Sequence, residues 1–217
     1  MSLKRITVLI SGRGSNLGAL IDACVHGSIA GAVTHVLSNR RDAPGLRIAE
    51  RHAIATTVVE QRDYASRDAF DRALVQAVDR TEPDLCVLAG FMRLLDDTFV
   101  ERYQGRLINI HPSLLPLYPG LHTHRRALAD GVKAHGCTAH FVTSKLDGGP
   151  IIAQGVVGVR DDDDEATLAA RVLEVEHRVL PAAVRWFCEG RLCIVSNRVQ
   201  LLDGPRSGDA LVAPPDR

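Results

Sequence analysis

The sequence has few aromatic residues, no surplus of charge and no long apolar run, and each absence excludes a class of protein. Phenylalanine, tyrosine and tryptophan make up 4% of the residues, too few for a platform on which nucleic-acid bases stack. Lysine plus arginine equals aspartate plus glutamate at 26 each, so no overall field attracts nucleic acid or an anionic membrane. No apolar stretch is long enough to span a bilayer, and the first residues lack the layout of a signal peptide. We therefore expect no nucleic-acid partner and no membrane partner.

The sequence also lacks the cysteine spacing of a redox or zinc site. Its five cysteines are an odd number, and no two of them form a Cys-x-x-Cys motif. The His122-Thr123-His124 segment could suggest a metal site, but no carboxylate accompanies these histidines in sequence. We expect no metal, and reduced thiols in a cytoplasmic protein.

What the sequence does contain is an alternation of short apolar runs with helical patterns. The predicted strands of the first half are Ile6–Ile10, Val33–Leu37, Thr56–Val59 and Asp84–Ala89. Between them lie helical patterns, such as the one that Ser66 would cap. The order predicts an α/β fold, with a mostly parallel twisted sheet and helices on both faces, as in Rossmann-like proteins.

The second half changes character and predicts antiparallel strands. The predicted strands here are Leu107–Ile110, Thr138–Thr143, Ile151–Val159 and a hairpin over Leu192–Leu202. A proline-rich loop follows the first of them, and an Asp147-Gly148-Gly149-Pro150 turn separates the next two. The acidic run Asp161–Glu165 would cap a long helix, which Pro181 is expected to kink or interrupt.

A glycine-containing turn follows the first predicted strand. The order strand, Gly12-x-Gly14-Ser15-Asn16, helix lets the backbone approach an anion, and the helix N-terminus supplies unpaired N–H groups. The turn lacks the lysine of a P-loop and the third glycine of a dinucleotide fingerprint, so it suits a single phosphate. A plain turn between a strand and a helix remains an equal alternative.

Asn109 and His111 are two residues apart at the end of a strand, so both side chains point to the same side. An amide can donate to a developing oxyanion, and an imidazole can donate or shuttle a proton. Asp147 is the natural third member, because a carboxylate near an imidazole favours its protonated form and orients it. No Gly-x-Ser-x-Gly motif is present, so direct attack by an amine is favoured over a covalent intermediate. Taken singly, each residue is better explained by a structural role, as a strand-end cap, a loop residue or a turn former, and it is their combination that favours a catalytic role.

Four segments together resemble the folate-dependent formyltransferase family. They are Ser11-Gly12-Arg13-Gly14-Ser15-Asn16-Leu17, Phe91-Met92-Arg93-Leu94-Leu95, Asn109-Ile110-His111-Pro112-Ser113-Leu114-Leu115-Pro116 and Leu146-Asp147-Gly148-Gly149-Pro150. The first is similar to the loop of the glycinamide ribonucleotide branch. The resemblance implies transfer of a formyl group from 10-formyltetrahydrofolate to the amino group of glycinamide ribonucleotide, in purine biosynthesis.

The resemblance also implies a role for each site residue. The catalytic residues would be Asn109, His111 and Asp147, and the phosphate would be held by Gly14, Ser15 and Asn16. Glu176 would lie near the glycinamide or ribose. The folate would contact Arg67, Met92, Arg93, Leu94, Leu95, Asn109, Val142 and Asp147.

We expect one formyltransferase domain over residues 1–203, acting as a monomer or homodimer. Its phosphate-binding half would be residues 1–105 and its folate-binding and catalytic half residues 106–203, followed by a loose tail over 204–217. Three alternatives stay open: a formyltransferase with another acceptor, a formyltetrahydrofolate hydrolase and a non-catalytic nucleotide-binding module.

Overall fold

The computed structural model describes residues 3–203, and the predicted tail over residues 204–217 lies outside them. The strands are β1 (Lys4–Ile10), β2 (Gly31–Ser38), β3 (Ala55–Val58), β4 (Leu85–Leu88), β5 (Leu107–His111), β6 (Ala134–Phe141), β7 (Ile151–Gly158), β8 (Leu192–Val195) and β9 (Arg198–Leu201). The helices are α1 (Ser15–Val25), α2 (Gly45–Arg51), α3 (Arg67–Asp79), α4 (Asp97–Arg102), α5 (Thr123–Ala129) and α6 (Glu165–Cys188). Among these residues, no helix has both the length and the apolar character to cross a membrane.

Seven strands form one sheet in the order β3-β2-β1-β4-β5-β6-β7. Strands β1 to β5 pair in parallel, whereas β6 is antiparallel to both β5 and β7. Strands β8 and β9 form the predicted hairpin as a separate two-stranded sheet. The predicted α/β fold, with a mostly parallel sheet and antiparallel strands in the second half, is confirmed. After β3 the chain crosses back to the other side of β1, and ligands of open α/β sheets bind where strand order reverses in this way.

The central strands are apolar on both faces, because helices cover both faces of the sheet. In β1, Val8 and Ile10 belong to one core cluster, whereas Leu9 between them belongs to the other. The first cluster includes side chains of α1 and α6, and the second includes side chains of α3 and α4. The sheet therefore separates two cores, and its edges of strand ends and loops remain available for binding.

Helix α6 begins with a reciprocal cap and continues through its proline. The Asp164 carboxylate accepts the Thr167 N–H at 2.7 Å, and the Thr167 hydroxyl accepts the Asp164 N–H at 2.9 Å. This confirms the capping role predicted for the acidic run. Of the kink or interruption expected at Pro181, the interruption is wrong, because α6 runs for 24 residues with Pro181 inside it, whereas the kink stays a prediction. Leu180, Ala183 and Val184 are buried around the proline, and this packing offsets the one backbone hydrogen bond that proline removes.

The sequence patterns missed two short helices and the start of one strand. Helices α4 and α5 have only 6 and 7 residues, too few to show a helical period. Strand β6 begins at Ala134, four residues before the predicted start at Thr138. Glycine at position 136 hid this start, yet a Cβ there would lie 1.9 Å from the Gly155 carbonyl oxygen. Only glycine allows β6 and β7 to approach each other so closely.

Candidate active site

A cleft of about 2170 Å³ lies at the carboxyl ends of the parallel strands, where the strand order reverses. Loops that follow β1, β2, β4 and β5 form its walls, and α6 closes one side. It brings together all the predicted site residues, namely Gly14, Ser15, Asn16, Arg67, Met92, Arg93, Leu94, Leu95, Asn109, His111, Val142, Asp147 and Glu176. Predicted site residues as far apart in the chain as Gly14 and Glu176 thus share one cavity.

Asn109 and His111 project from the end of β5 toward Asp147, which lies in the turn between β6 and β7. The His111 Nδ1 atom is 3.6 Å from Asp147 Oδ2, and only 8% and 9% of these side chains are exposed. The backbone N–H of Gly120 donates to the same carboxylate oxygen at 2.8 Å, which fixes the position of the carboxylate. On its other side, His111 Nε2 donates to the Tyr118 carbonyl oxygen at 3.0 Å. The imidazole therefore has an oxygen atom facing each of its nitrogens.

His140 orients the Asn109 amide from the neighbouring strand. The two residues are partners in the antiparallel β5–β6 register, and Asn109 Nδ2 is 3.1 Å from His140 Nε2. His140 Nδ1 lies 2.8 Å from the Phe141 carbonyl oxygen, which can only accept a hydrogen bond. Burial lowers the pKa of His140, so the neutral ring carries its hydrogen on Nδ1 and accepts the Asn109 amide at Nε2. Alternation along its strand was the one sequence signal that His140 could face the site.

The glycine-containing turn between β1 and α1 adopts a shape that requires glycine. Gly14 has φ +77° and directly precedes Ser15, the first residue of α1. A Cβ at Gly14 would lie 2.6 Å from the Gly45 Cα, and the Gly45 N–H donates to the Gly12 carbonyl at 3.0 Å. Because α1 has no acidic residue of its own in its first turn, its N-terminus presents a positive dipole end to the cleft.

Asn16 and Glu176 meet across the cleft, although 160 residues separate them. The Asn16 amide donates to the Glu176 carboxylate at 2.6 Å, and both side chains are buried. Burial raises the pKa of Glu176, and the hydrogen bond from Asn16 opposes that rise. The residue predicted to bind phosphate thus contacts the residue predicted to bind glycinamide or ribose.

A scan against known protein families finds a match to the formyl transferase family over residues 4–184. This chain belongs to that family. It is 52% identical to phosphoribosylglycinamide formyltransferase of Escherichia coli (strain K12) over 201 residues, 93% of this chain and 94% of that protein. Glycinamide ribonucleotide transformylase 1 from Symbiobacterium toebii has a similar structure, with a TM-score of 0.91, 47% identity and coverage of 93% and 95% of the two chains. A formyltetrahydrofolate deformylase from Pseudomonas syringae is similar at 28% identity, with a TM-score of 0.87 over 93% of this chain and 66% of that one.

The far wall of the formyltransferase cleft combines exposed apolar side chains with arginines. Met92 and Leu94 are 70% and 61% exposed and both line the cleft, so together they present apolar surface to a ligand. Arg67 donates to the Leu94 carbonyl at 3.4 Å, and the Arg93 guanidinium lies over the Phe70 ring at 5.7 Å. An aromatic ligand with an acidic end matches this wall in both polarity and charge.

Within residues 3–203, the formyltransferase contains no group of three or more histidine, cysteine, aspartate or glutamate side chains placed to hold a metal ion. His124 and His135 do meet, with 3.2 Å between His124 Nδ1 and His135 Nε2. Burial lowers the pKa of His135 to about 4, so this ring is neutral near pH 7.

Sequence reasoning missed the roles of Tyr118 and Gly120, because both contribute only backbone atoms to the site.

Proposed function

We propose that this formyltransferase transfers the formyl group of 10-formyltetrahydrofolate to the amino group of glycinamide ribonucleotide. The products are formylglycinamide ribonucleotide and tetrahydrofolate, in purine biosynthesis. The observation that carries the proposal is the placement of Asn109, His111 and Asp147 in one cleft with the glycine-containing turn. The names of the Escherichia coli and Symbiobacterium toebii relatives support the choice of acceptor.

Asn109 and His111 are the groups suited to stabilise the oxygen of the tetrahedral intermediate. The substrate amine attacks the formyl carbon, and the formyl oxygen gains negative charge. The Asn109 amide is held by neutral His140, so it is oriented before the substrate binds. Preorganised donors of this kind stabilise a transition state without a cost of reorientation.

Asp147 is suited to orient His111 and to help move a proton. The attacking amine must lose one proton, and the departing folate nitrogen must gain one. Asp147 lies 3.6 Å from His111 Nδ1, and the Gly120 N–H holds the carboxylate in place. The gap is longer than a direct hydrogen bond, so a proton would pass between carboxylate and substrate through water or through the imidazole.

The turn between β1 and α1 is suited to the phosphate of the acceptor. Gly14, Ser15 and Asn16 would surround the phosphate at the N-terminus of α1, where no acidic side chain lies in the first turn. Glu176 lies next to Asn16 and would accept hydrogen bonds from the ribose or the glycinamide. The phosphate would thereby fix one end of the substrate while its amine reaches the catalytic residues.

The opposite wall is suited to the folate. Its ring system would lie against the 92–95 segment and Val142, near Asn109 and Asp147. Arg67 and Arg93 would face the acidic end of the molecule. This arrangement would place the formyl group between the two halves of the cleft.

The first test measures the change in folate absorbance with purified protein, 10-formyltetrahydrofolate and glycinamide ribonucleotide. We expect turnover only with both substrates, and a loss of about 100- to 1,000-fold in kcat for Asn109→Ala. His111→Ala and Asp147→Asn should also lose most activity, whereas His52→Ala, which changes an exposed histidine outside the cleft, should not. Turnover without the nucleotide would indicate a deformylase, and near-normal rates in all three site variants would refute the assignment.

We also propose that the protein acts in the cytosol as a monomer or homodimer. All five cysteines lie within the described residues and are free thiols, which is typical of a reducing compartment. One chain supplies every predicted site residue to its own cleft, so a second chain is not needed to complete the site.

A further inference from the structure

Ser11 is a buried residue at the end of β1 that joins three loops of the cleft. Its hydroxyl donates to Asn39 Oδ1 at 2.6 Å and accepts the backbone N–H of Met92 at 2.7 Å. Its own backbone N–H donates to the Gly90 carbonyl at 3.1 Å. The side chain is 5% exposed, so water competes little with these bonds.

The hydrogen bond that the Ser11 hydroxyl donates determines the direction of the one that it accepts. A hydroxyl has one hydrogen, and Asn39 Oδ1 can only accept, so the hydrogen points to Asn39. A lone pair is then directed at the Met92 N–H. Met92 is the first residue of the 92–95 segment, which lines the folate side of the cleft.

Ser11 is also joined directly to the 12–16 turn, which is proposed to hold the phosphate. Gly12 follows it in sequence, and the Gly12 carbonyl holds the Gly45 N–H at the start of α2. A displacement of the 12–16 turn by a bound phosphate would therefore move Ser11, and Ser11 would move the Met92 backbone. Ser11 thus connects the two walls of the cleft, one through its backbone and the other through its hydroxyl.

We infer that Ser11 is a positioning residue that couples binding of the phosphorylated acceptor to the geometry of the folate-facing 92–95 segment. The inference rests on the proposed function for the identity of the two ligands. Ser11 itself contacts neither substrate in this proposal and takes no part in the chemistry.

The first test compares steady-state kinetics of Ser11→Ala with the wild type. Loss of the hydroxyl leaves the Met92 N–H without its acceptor, so the KM for 10-formyltetrahydrofolate should rise about 10-fold. The kcat should fall less than about 3-fold, since the hydrogen bonds of Ser11 are to Asn39, Met92 and Gly90 and not to Asn109 or His111. Asn39→Ala should have a smaller effect, because Ser11 can still accept the Met92 N–H.

Ser28→Ala is the matched control, because it removes an exposed serine hydroxyl outside the cleft and should leave both constants unchanged. Melting temperatures of all variants show whether each is folded at the assay temperature. A KM for folate within 2-fold of the wild type in Ser11→Ala overturns the inference. An equal loss of kcat and kcat/KM, without a change in KM, overturns it as well.

The second test does not depend on turnover. Hydrogen exchange of the Met92 amide is measured with and without inorganic phosphate, which serves as the probe for the 12–16 turn. Phosphate should slow this exchange in the wild type and in Ser28→Ala, but not in Ser11→Ala. If the wild type lacks formyl transfer but shows this response, the proposed function fails and the coupling stands. If phosphate leaves Met92 exchange unchanged in the wild type, the coupling is refuted.

Discussion

Replacing Gly14 by alanine should destabilise the protein through two separable effects. The first is backbone strain, because Gly14 has φ +77°, and a left-handed conformation costs a residue with a Cβ about 1–2 kcal/mol. The second is overlap, because the new Cβ would lie 2.6 Å from the Gly45 Cα. Backbone atoms cannot move aside as the end of a side chain can, so we assign this overlap about 1–3 kcal/mol. The two together lower the free energy of unfolding by about 2–5 kcal/mol.

Gly27→Ala is a control that contains only the first effect. Gly27 has φ +73°, nearly the same backbone conformation, but a Cβ there would meet no atom within 4 Å. Its cost should be the strain alone, about 1–2 kcal/mol. For a chain of this size, each kcal/mol lowers the Tm by about 2–4 °C. We therefore expect a fall of about 2–8 °C for Gly27→Ala and about 4–20 °C for Gly14→Ala.

Scanning calorimetry or thermal unfolding followed by circular dichroism measures both variants under one set of conditions. The informative quantity is the difference in Tm between the two variants, because it isolates the contact between Gly14 and Gly45. Equal Tm values would show that the turn moves away from α2 without cost. The close approach of these two backbones would then not be what requires glycine at position 14.

Two further predictions concern stability. Asp164→Ala removes the cap of α6 and should lower the free energy of unfolding by about 1 kcal/mol, which is about 2–4 °C in Tm. Asp162→Ala, at an exposed position, is the control and should leave the Tm unchanged. Equal Tm values for the two variants would contradict the capping role. The pKa of His135 is lowered to about 4 by burial, so below about pH 6.5 the unfolded chain takes up a proton that the folded chain does not. The free energy of unfolding, measured by denaturant titration, should therefore fall as the pH is lowered from 6.5 to 4. It should fall less steeply in His135→Gln, and identical pH profiles for the two proteins would refute this.

The sequence was sufficient to predict the sheet because its central strands carry an unambiguous signal. Ile6–Ile10 is apolar except for Thr7, and all five residues are buried in β1. Helices α4 and α5 gave no such signal. Helix α5 buries only Thr123 and Ala127, and the side chain of its N-cap residue His122 makes no capping hydrogen bond, so neither period nor cap marked it.

The sequence could predict which side chains line the cleft, but not the contacts that the backbone makes there. Asn109 and His111 could be paired from their spacing, since a strand places alternate residues on one side. The carbonyl of Tyr118 and the N–H of Gly120 belong to every residue type, so no sequence pattern identifies them as partners of His111 and Asp147. The contact between Asn16 and Glu176 depends on how α6 packs against the sheet, which is a property of the whole fold.

The late position of α6 in the chain has a consequence for synthesis on the ribosome. Strand β1 has both of its neighbours once residue 88 is made, so half of the sheet can form early. Helix α6 packs against α1, β6 and β7, and its Leu168, Val172 and Leu180 belong to the same core cluster as β1 and α1, yet they leave the ribosome much later. A nascent chain that stops before α6 therefore exposes the apolar faces of α1, β6 and β7, to which chaperones and other unfinished chains can bind.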